Sequence, residues 1–171
     1  MELKIEDILK CTKGDLIIGD KLKECKNFSK DTRTIKKGDT YIGIKGDKFD
    51  GNLFWEEAFN KGADVVIINK IILNNKEVKK YDMQNKCIIR VEDTITALAQ
   101  MASYKREMYK GKLKVVGITG SVGKTSTKDM IANIVSQKYK TLKTEGNNNN
   151  NIGLPLTILR LKDEEVAVIE M

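Results

Sequence analysis

Apolar and polar positions recur with two different periods along the chain, and the changes of period mark the elements to be expected. Ile5 to Lys10 reads as a short helix stopped by the polar Thr12-Lys13-Gly14, and Leu16 to Ile18 is a short apolar run. Thr40 to Ile44 follows a Lys37-Gly38-Asp39 turn and reads as a strand, after which Lys45-Gly46-Asp47 turns the chain again. Asn52 is placed to cap a helix running to about Lys61, and Gly62 leads straight into Asp64-Val65-Val66-Ile67-Ile68. A strand, a helix and a strand in that order favour parallel pairing. The polar stretch from Asn74 to Lys86 reads as a loop or insertion before a further strand, Cys87 to Val91. Asp93 then caps a helix with Ile95, Leu98, Ala99 and Ala102 at i, i+3, i+4 and i+7.

Around Tyr109-Lys110-Gly111-Lys112 the pattern restarts, which places a domain junction between residues 1–110 and 111–171. Leu113 to Thr119 is apolar without alternation, as expected of a strand buried on both faces of a parallel sheet. A glycine-rich turn leads into a helix from about Lys124 to Tyr139, with Met130, Ile131, Ile134 and Val135 on one face. A short strand near Thr141 to Thr144, an asparagine-rich loop, a helix from about Leu154 to Leu161 and a strand Val166 to Ile169 follow. The fold class is therefore α/β, a small amino-terminal α/β domain followed by the first part of a doubly wound parallel-sheet domain. The second domain has too few strands to be whole, so the chain is expected to be a fragment.

Composition narrows the chemistry. With 171 residues, 40% of them hydrophobic, the chain can bury a real core. No run approaches the roughly 18 to 20 apolar residues of a membrane span, and Met1 to Lys10 is charged rather than leader-like, so a cytoplasmic location is expected. Cys11, Cys25 and Cys87 are widely spaced with no CxxC pair, which indicates neither a disulfide framework nor a thiolate metal site. The absence of histidine removes Ser-His and Cys-His catalysis and the commonest transition-metal ligand, leaving a hard, oxygen-bound ion as the expected metal. The net charge of +7 comes from scattered lysines, the arginines are only Arg33, Arg90, Arg106 and Arg160, and no aromatic-basic interleaving occurs. No nucleic-acid partner is expected.

One segment carries specific chemistry. Gly120-Ser121-Val122-Gly123-Lys124-Thr125-Ser126 lies between an apolar strand and a helix start. Glycines there let several backbone N–H groups face one anion together with the helix dipole. Lys124, the expected catalytic cation, adds positive charge at the β/γ phosphates, and the Thr125 hydroxyl is placed to ligate Mg²⁺, so a nucleoside triphosphate with Mg²⁺ is expected there. The spacing is not the strict G-x-x-x-x-G-K-[ST], since Ile118 stands five positions before Gly123. Glu170 ends the apolar run Val166 to Ile169, at the carboxyl edge of a strand, where a carboxylate can hold Mg²⁺ opposite Thr125.

These residues resemble the Mur ligases, in the branch that joins D-alanyl-D-alanine to UDP-MurNAc-tripeptide, and the resemblance runs over almost the whole chain. Thr119 to Thr125 looks like that family's variant phosphate loop, Thr144 to Thr157 is similar to its T-x-G-N-x-N-N-x-I-G-x-P-L-T signature, and Glu170-Met171 matches its E-M strand end. Asp31-Thr32-Arg33 with Gly38-Asp39 looks like its D-[ST]-R-x-x-x-x-G-D segment, and Lys45 to Gly51 resembles its K-G-x-x-F-D-G loop. Asn52 departs from a common histidine and Val122 from a common asparagine. The resemblance implies an amino-terminal domain holding the UDP end of the sugar nucleotide, with Asp31, Thr32, Arg33, Lys45, Phe49 and Asp50 as contacts, and a central P-loop ATPase domain. It implies further substrate contacts from Asn147, Asn149 and Asn150, and an ATP-dependent ligase passing through an acyl phosphate, with ATP and Mg²⁺ as the cofactor pair. UDP-MurNAc-tripeptide and D-alanyl-D-alanine are the implied partners, the expected state is a monomer, and the fragment alone is expected to be inactive. Two alternatives stay open: a sister Mur ligase or folylpolyglutamate synthetase, and a non-catalytic nucleotide-binding module.

Overall fold

Tyr41-Ile42, Val65 to Ile68 and Cys87 to Ile89 are apolar runs too short for a stable helix, and every residue in them is buried. In the computed structural model, which describes residues 1–146 and 148–171, they form the centre of a six-stranded sheet. Strands β4 (Asp39–Ile42), β5 (Val65–Ile68) and β6 (Cys87–Arg90) pair in parallel, with Thr40 opposite Val65 and Val65 opposite Cys87. On one side β3 (Glu24–Ser29) pairs with β4 in parallel, and β1 (Leu3–Lys4) closes the edge antiparallel to β3. The other edge is β2 (Asp15–Ile18), antiparallel to β6. Helices α1 (Ile5–Thr12) and α2 (Trp55–Asn60) form where the apolar spacing places them.

The sheet belongs to a unit spanning Glu2–Gln100; Met101–Met171, with Met1, form a second unit. The core of the first unit gathers Tyr41, Val66 and Ile68 of the sheet with Ala58 and Phe59 of α2 and Tyr81. Trp55 meets Phe59 and Tyr81 edge-on, with ring centroids 6.0 and 5.4 Å apart. Such pairs add about 1 kcal/mol each beyond area burial.

Three expectations are corrected in this unit. The polar stretch after Asn74 contains a helix, α3 (Asn75–Met83). Asn74 Oδ1 accepts from the Lys76 and Glu77 N–H groups, and Glu77 accepts from the Asn74 N–H, a capping box that starts a helix whose inward face needs little beyond Val78 and Tyr81. Asn52 is not the cap before α2. Asp50 accepts its N–H at 3.0 Å and opens a 3₁₀ turn over Gly51–Phe54, while Asn52 is buried and accepts from the Asn69 N–H. In α4 (Thr94–Met108), capped by Asp93 as expected, the buried stripe is Thr94, Ala97, Leu98, Met101, Ala102 and Lys105, whereas Ala99 is exposed.

The second unit holds a parallel three-stranded sheet in the order β7 (Lys114–Ile118), β9 (Val166–Glu170), β8 (Thr141–Lys143). Helix α5 (Lys124–Val135) follows β7, and α6 (Gly153–Leu159) lies between β8 and β9. Central β9 is buried along its whole length, but β7 is an edge strand with Val115 40% exposed, so the expected burial on both faces does not hold for it. The α5 face is also rotated from the expected one: Met130 and Ile134 are exposed, while Lys128 and Ala132 are buried with Ile131 and Val135 beside them. The Lys128 stem packs inward and its ammonium reaches Asp129, which lets a charged residue occupy an inward position.

Candidate functional site

Between the end of β7 at Ile118 and the start of α5 at Lys124 the chain turns through a loop whose glycines Gly120 and Gly123 have φ of +147° and +77°. Side chains rarely adopt such angles, so glycine at both positions permits the turn without strain. Gly123 is the residue from which α5 starts, and no side chain caps that end, so its first N–H groups remain for an anion. Lys124 is half-buried, and Ser121, Val122, Thr125 and Ser126 are exposed around the turn.

Parallel pairing then delivers the carboxylate. Ile118 stands opposite Glu170, and the Met171 N–H donates to the Ile118 carbonyl at 2.9 Å, which fixes the end of β9 beside the loop. Thr125 Oγ1 donates to Glu170, with Oε1 at 3.3 Å and Oε2 at 3.1 Å. Glu170 is 3% exposed. Asn149 Nδ2 donates to its Oε1 at 3.1 Å, and its backbone N–H donates to the buried Thr144 Oγ1 at 3.0 Å. None of the ion pairs among the described residues includes Glu170. Among the described residues, the groups that hydrogen-bond its side chain, Thr125 and Asn149, are both neutral, so this buried carboxyl group has no ion-pair partner there.

The donor set of a hydroxyl and a carboxylate 3.1 Å apart fits a hard cation such as Mg²⁺. No cluster of three or more metal-binding carboxylate, thiol or imidazole side chains occurs among the described residues. One turn along α5, Asp129 accepts from Lys143 at 2.8 Å and lies 3.5 Å from the buried Lys128 ammonium. The Lys143 hydrogen bond is the main reason that the Asp129 carboxyl is held below its ordinary range. This pair ties α5 to the end of β8, next to the asparagine-rich segment.

The asparagines part company in this setting. Asn149 faces Glu170, whereas Asn150 Oδ1 accepts from the N–H groups of Ile152 and Gly153 at 3.1 and 2.7 Å and so anchors the start of α6. Asn147 lies outside the described residues. Sequence reasoning missed Thr144 and Asp129. The signal for Thr144 was its place at the end of a strand that runs parallel to Glu170's own.

In the amino-terminal unit, a cleft of about 520 Å³ brings together Asp31, Thr32, Arg33 and Phe49 with Tyr41 and Glu57, the last two not anticipated. Asp31 sits at the end of the connection from β3, accepts the Arg33 N–H, and takes the Arg33 guanidinium in a fork, Nε–Oδ1 2.9 Å and Nη2–Oδ2 2.6 Å. That hydrogen bonding lowers the Asp31 pKa to about 2. Thr32 Oγ1 donates to Glu57 at 2.9 Å, and Tyr41, whose hydroxyl donates to the Gly51 carbonyl, has its pKa raised to about 12 chiefly by burial. Arg33 and Phe49 remain 83% and 72% exposed, a cation and a ring open to a ligand. Lys45 and Asp50 do not line the cleft; they bridge across the tight turn that carries Phe49.

Comparison with known proteins bears on both sites. The family described as Mur ligase middle domain matches residues 118–171, and that described as Mur ligase family, catalytic domain, matches residues 25–106. The chain is 43% identical over 143 residues to the UDP-N-acetylmuramoyl-tripeptide--D-alanyl-D-alanine ligase of Bacillus subtilis (strain 168), covering 82% of this chain and 29% of that protein. The crystal structure of MurF from Acinetobacter baumannii superposes with a TM-score of 0.84 at 31% identity, covering 100% of this chain and 36% of that one. MurF ligase from Thermotoga maritima, solved in complex with ADP, gives 0.69 at 35% identity, covering 85% of this chain and 32% of that one. The chain thus spans about a third of the length of the relatives it matches.

Proposed function

The chain belongs to the Mur ligase family, and from that premise we propose that it supplies the UDP-binding part and the phosphate-binding start of an ATP-dependent ligase that adds D-alanyl-D-alanine to UDP-MurNAc-tripeptide. Residues 1–110 form the sugar-nucleotide part in this reading and residues 111–171 the beginning of the ATP-binding part. The observation that carries it is the 3.1 Å contact between Thr125 and the buried Glu170, beside a glycine turn that ends in Lys124.

In the first step an oxygen of the substrate's terminal carboxylate attacks the γ-phosphorus of ATP and ADP leaves, giving an acyl phosphate. Two anions must approach, so the obstacle is charge. The N–H groups of Gly120 to Ser126 and the Lys124 ammonium hold and neutralise the β/γ phosphates. Thr125 and Glu170 would hold Mg²⁺, which would supply charge neutralisation at those phosphates. In the second step the amine of D-alanyl-D-alanine attacks the acyl carbon, loses a proton and expels phosphate. At the far end of the substrate, Arg33 and Phe49 offer a cation for diphosphate and a face for the base, with Lys45 and Asp50 shaping the turn. A monomer in the cytoplasm, where ATP is available, suits this role, and no helix among the described residues is long and apolar enough to cross a membrane.

The test is phosphate release by the full-length protein that carries this chain. Release is expected only when UDP-MurNAc-tripeptide and D-alanyl-D-alanine are both present. Release with a single amino acid in place of the dipeptide overturns the assignment in favour of a sister ligase, and no release with any acceptor favours a non-catalytic binding module.

A further inference from the structure

The asparagine-rich segment is fastened to Glu170 on both sides. At its start Thr144, fully buried, accepts the Glu170 backbone N–H at 3.0 Å; further along, Asn149 donates Nδ2 to the Glu170 side chain at 3.1 Å. Asn149 shares the same carboxylate oxygen with Thr125, whose hydroxyl lies 3.3 Å from Oε1. The carboxylate plane is thus set by one donor from the phosphate loop's helix and one from the asparagine segment. Neither donor is charged, so both orient the carboxylate without forming an ion pair with it. Asn149 spends its amide on this carboxylate, while Asn150 spends its oxygen on the backbone at the start of α6.

We infer that Asn149 is a positioning residue for divalent-cation binding through Glu170, rather than a direct contact to the sugar nucleotide. Hydrogen-bonding partners behind a metal-binding carboxylate fix its orientation, and their loss lowers metal affinity while leaving metal-free contacts in place. The second fastening at Thr144 makes the segment a bracket around Glu170. This inference rests on the reading of the Gly120 loop as a Mg²⁺-nucleotide site.

The experiment measures binding of a fluorescent ADP analogue to the full-length protein that carries this chain across a Mg²⁺ titration, in the wild type, Asn149→Leu and Asn149→Ala, with direct Mn²⁺ binding by electron paramagnetic resonance as a second readout. For both variants the Mg²⁺ concentration giving half of the affinity gain is expected to rise by about tenfold, with a matching loss of Mn²⁺ affinity. Affinity without divalent ion is expected to stay at the wild-type value, which a merely disordered loop does not allow. Superimposable Mg²⁺ curves for wild type and variants, or equal losses with and without Mg²⁺, overturn the role of Asn149. A wild type that shows no Mg²⁺-dependent nucleotide binding overturns the underlying site instead.

Discussion

Thr125 and Glu170 are 45 residues apart in sequence, and the Thr125 hydroxyl donates to both oxygens of the Glu170 carboxylate. The parallel register of β7 and β9 makes the contact, because Ile118, which leads into the glycine turn, stands opposite Glu170. Replacing Thr125 by valine keeps the shape and removes the oxygen. Nucleotide affinity in Thr125→Val is expected to become nearly independent of Mg²⁺, with a loss of about tenfold or more at saturating Mg²⁺. An unchanged Mg²⁺ dependence, read by isothermal titration of ADP, refutes the metal role of this pair.

The fork of Arg33 on Asp31 is exposed, so its loss is expected to leave stability alone and to be felt in ligand binding. Titrating UDP into Arg33→Ala is expected to show weakening by about tenfold, the scale of one charge-assisted contact to phosphate, with an unshifted thermal midpoint. Equal UDP affinity in the variant moves the diphosphate away from this cleft.

The buried and partly buried thiols give the chain a pH dependence of definite sign. Cys25 has its pKa raised from 9.0 to about 12 and Cys11 to about 11, in both cases chiefly because burial disfavours the thiolate; Cys87 is raised for the same first reason. A raised pKa means that the fold favours the protonated form, so the contribution is whole below pH 9 and is lost as pH rises from 9 toward 12. Urea midpoints measured between pH 8 and 11 are expected to fall less steeply in Cys25→Ala than in the wild type. Parallel curves for the two proteins contradict this.

How far these features could be read in advance depended on what each relied upon. The central strands were legible because a run such as Val65 to Ile68 has few other places to go, and the phosphate loop because strand, glycines and helix start follow one another in the chain. Helix α3 was hidden by its own polarity: its start rests on the Asn74–Glu77 capping box, a side-chain device that hydrophobic periodicity ignores. Strand β3, Glu24–Ser29, was missed because only Cys25 in it is buried and its pairing partner β4 lies further along the chain. On α5, ranking residues by hydrophobicity selected Met130 and Ile134, whereas position on the helix selected Lys128, whose stem is apolar and whose charge is met by Asp129. Within the site, Glu170 was found from its place at a strand end, but Thr144 and the division of labour between Asn149 and Asn150 arise from contacts across the sheet that spacing does not reveal.

The claim on which the rest depends is that the turn from Gly120 to Ser126 binds nucleotide phosphates through Lys124. Phosphorus NMR of ADP with Mg²⁺, titrated with the full-length protein that carries this chain and with its Lys124→Ala variant, tests it most directly. The β-phosphate resonance is expected to shift and broaden with the wild type, and the variant to need at least about tenfold more protein for the same change. A β-phosphate signal that responds identically to both proteins contradicts the claim.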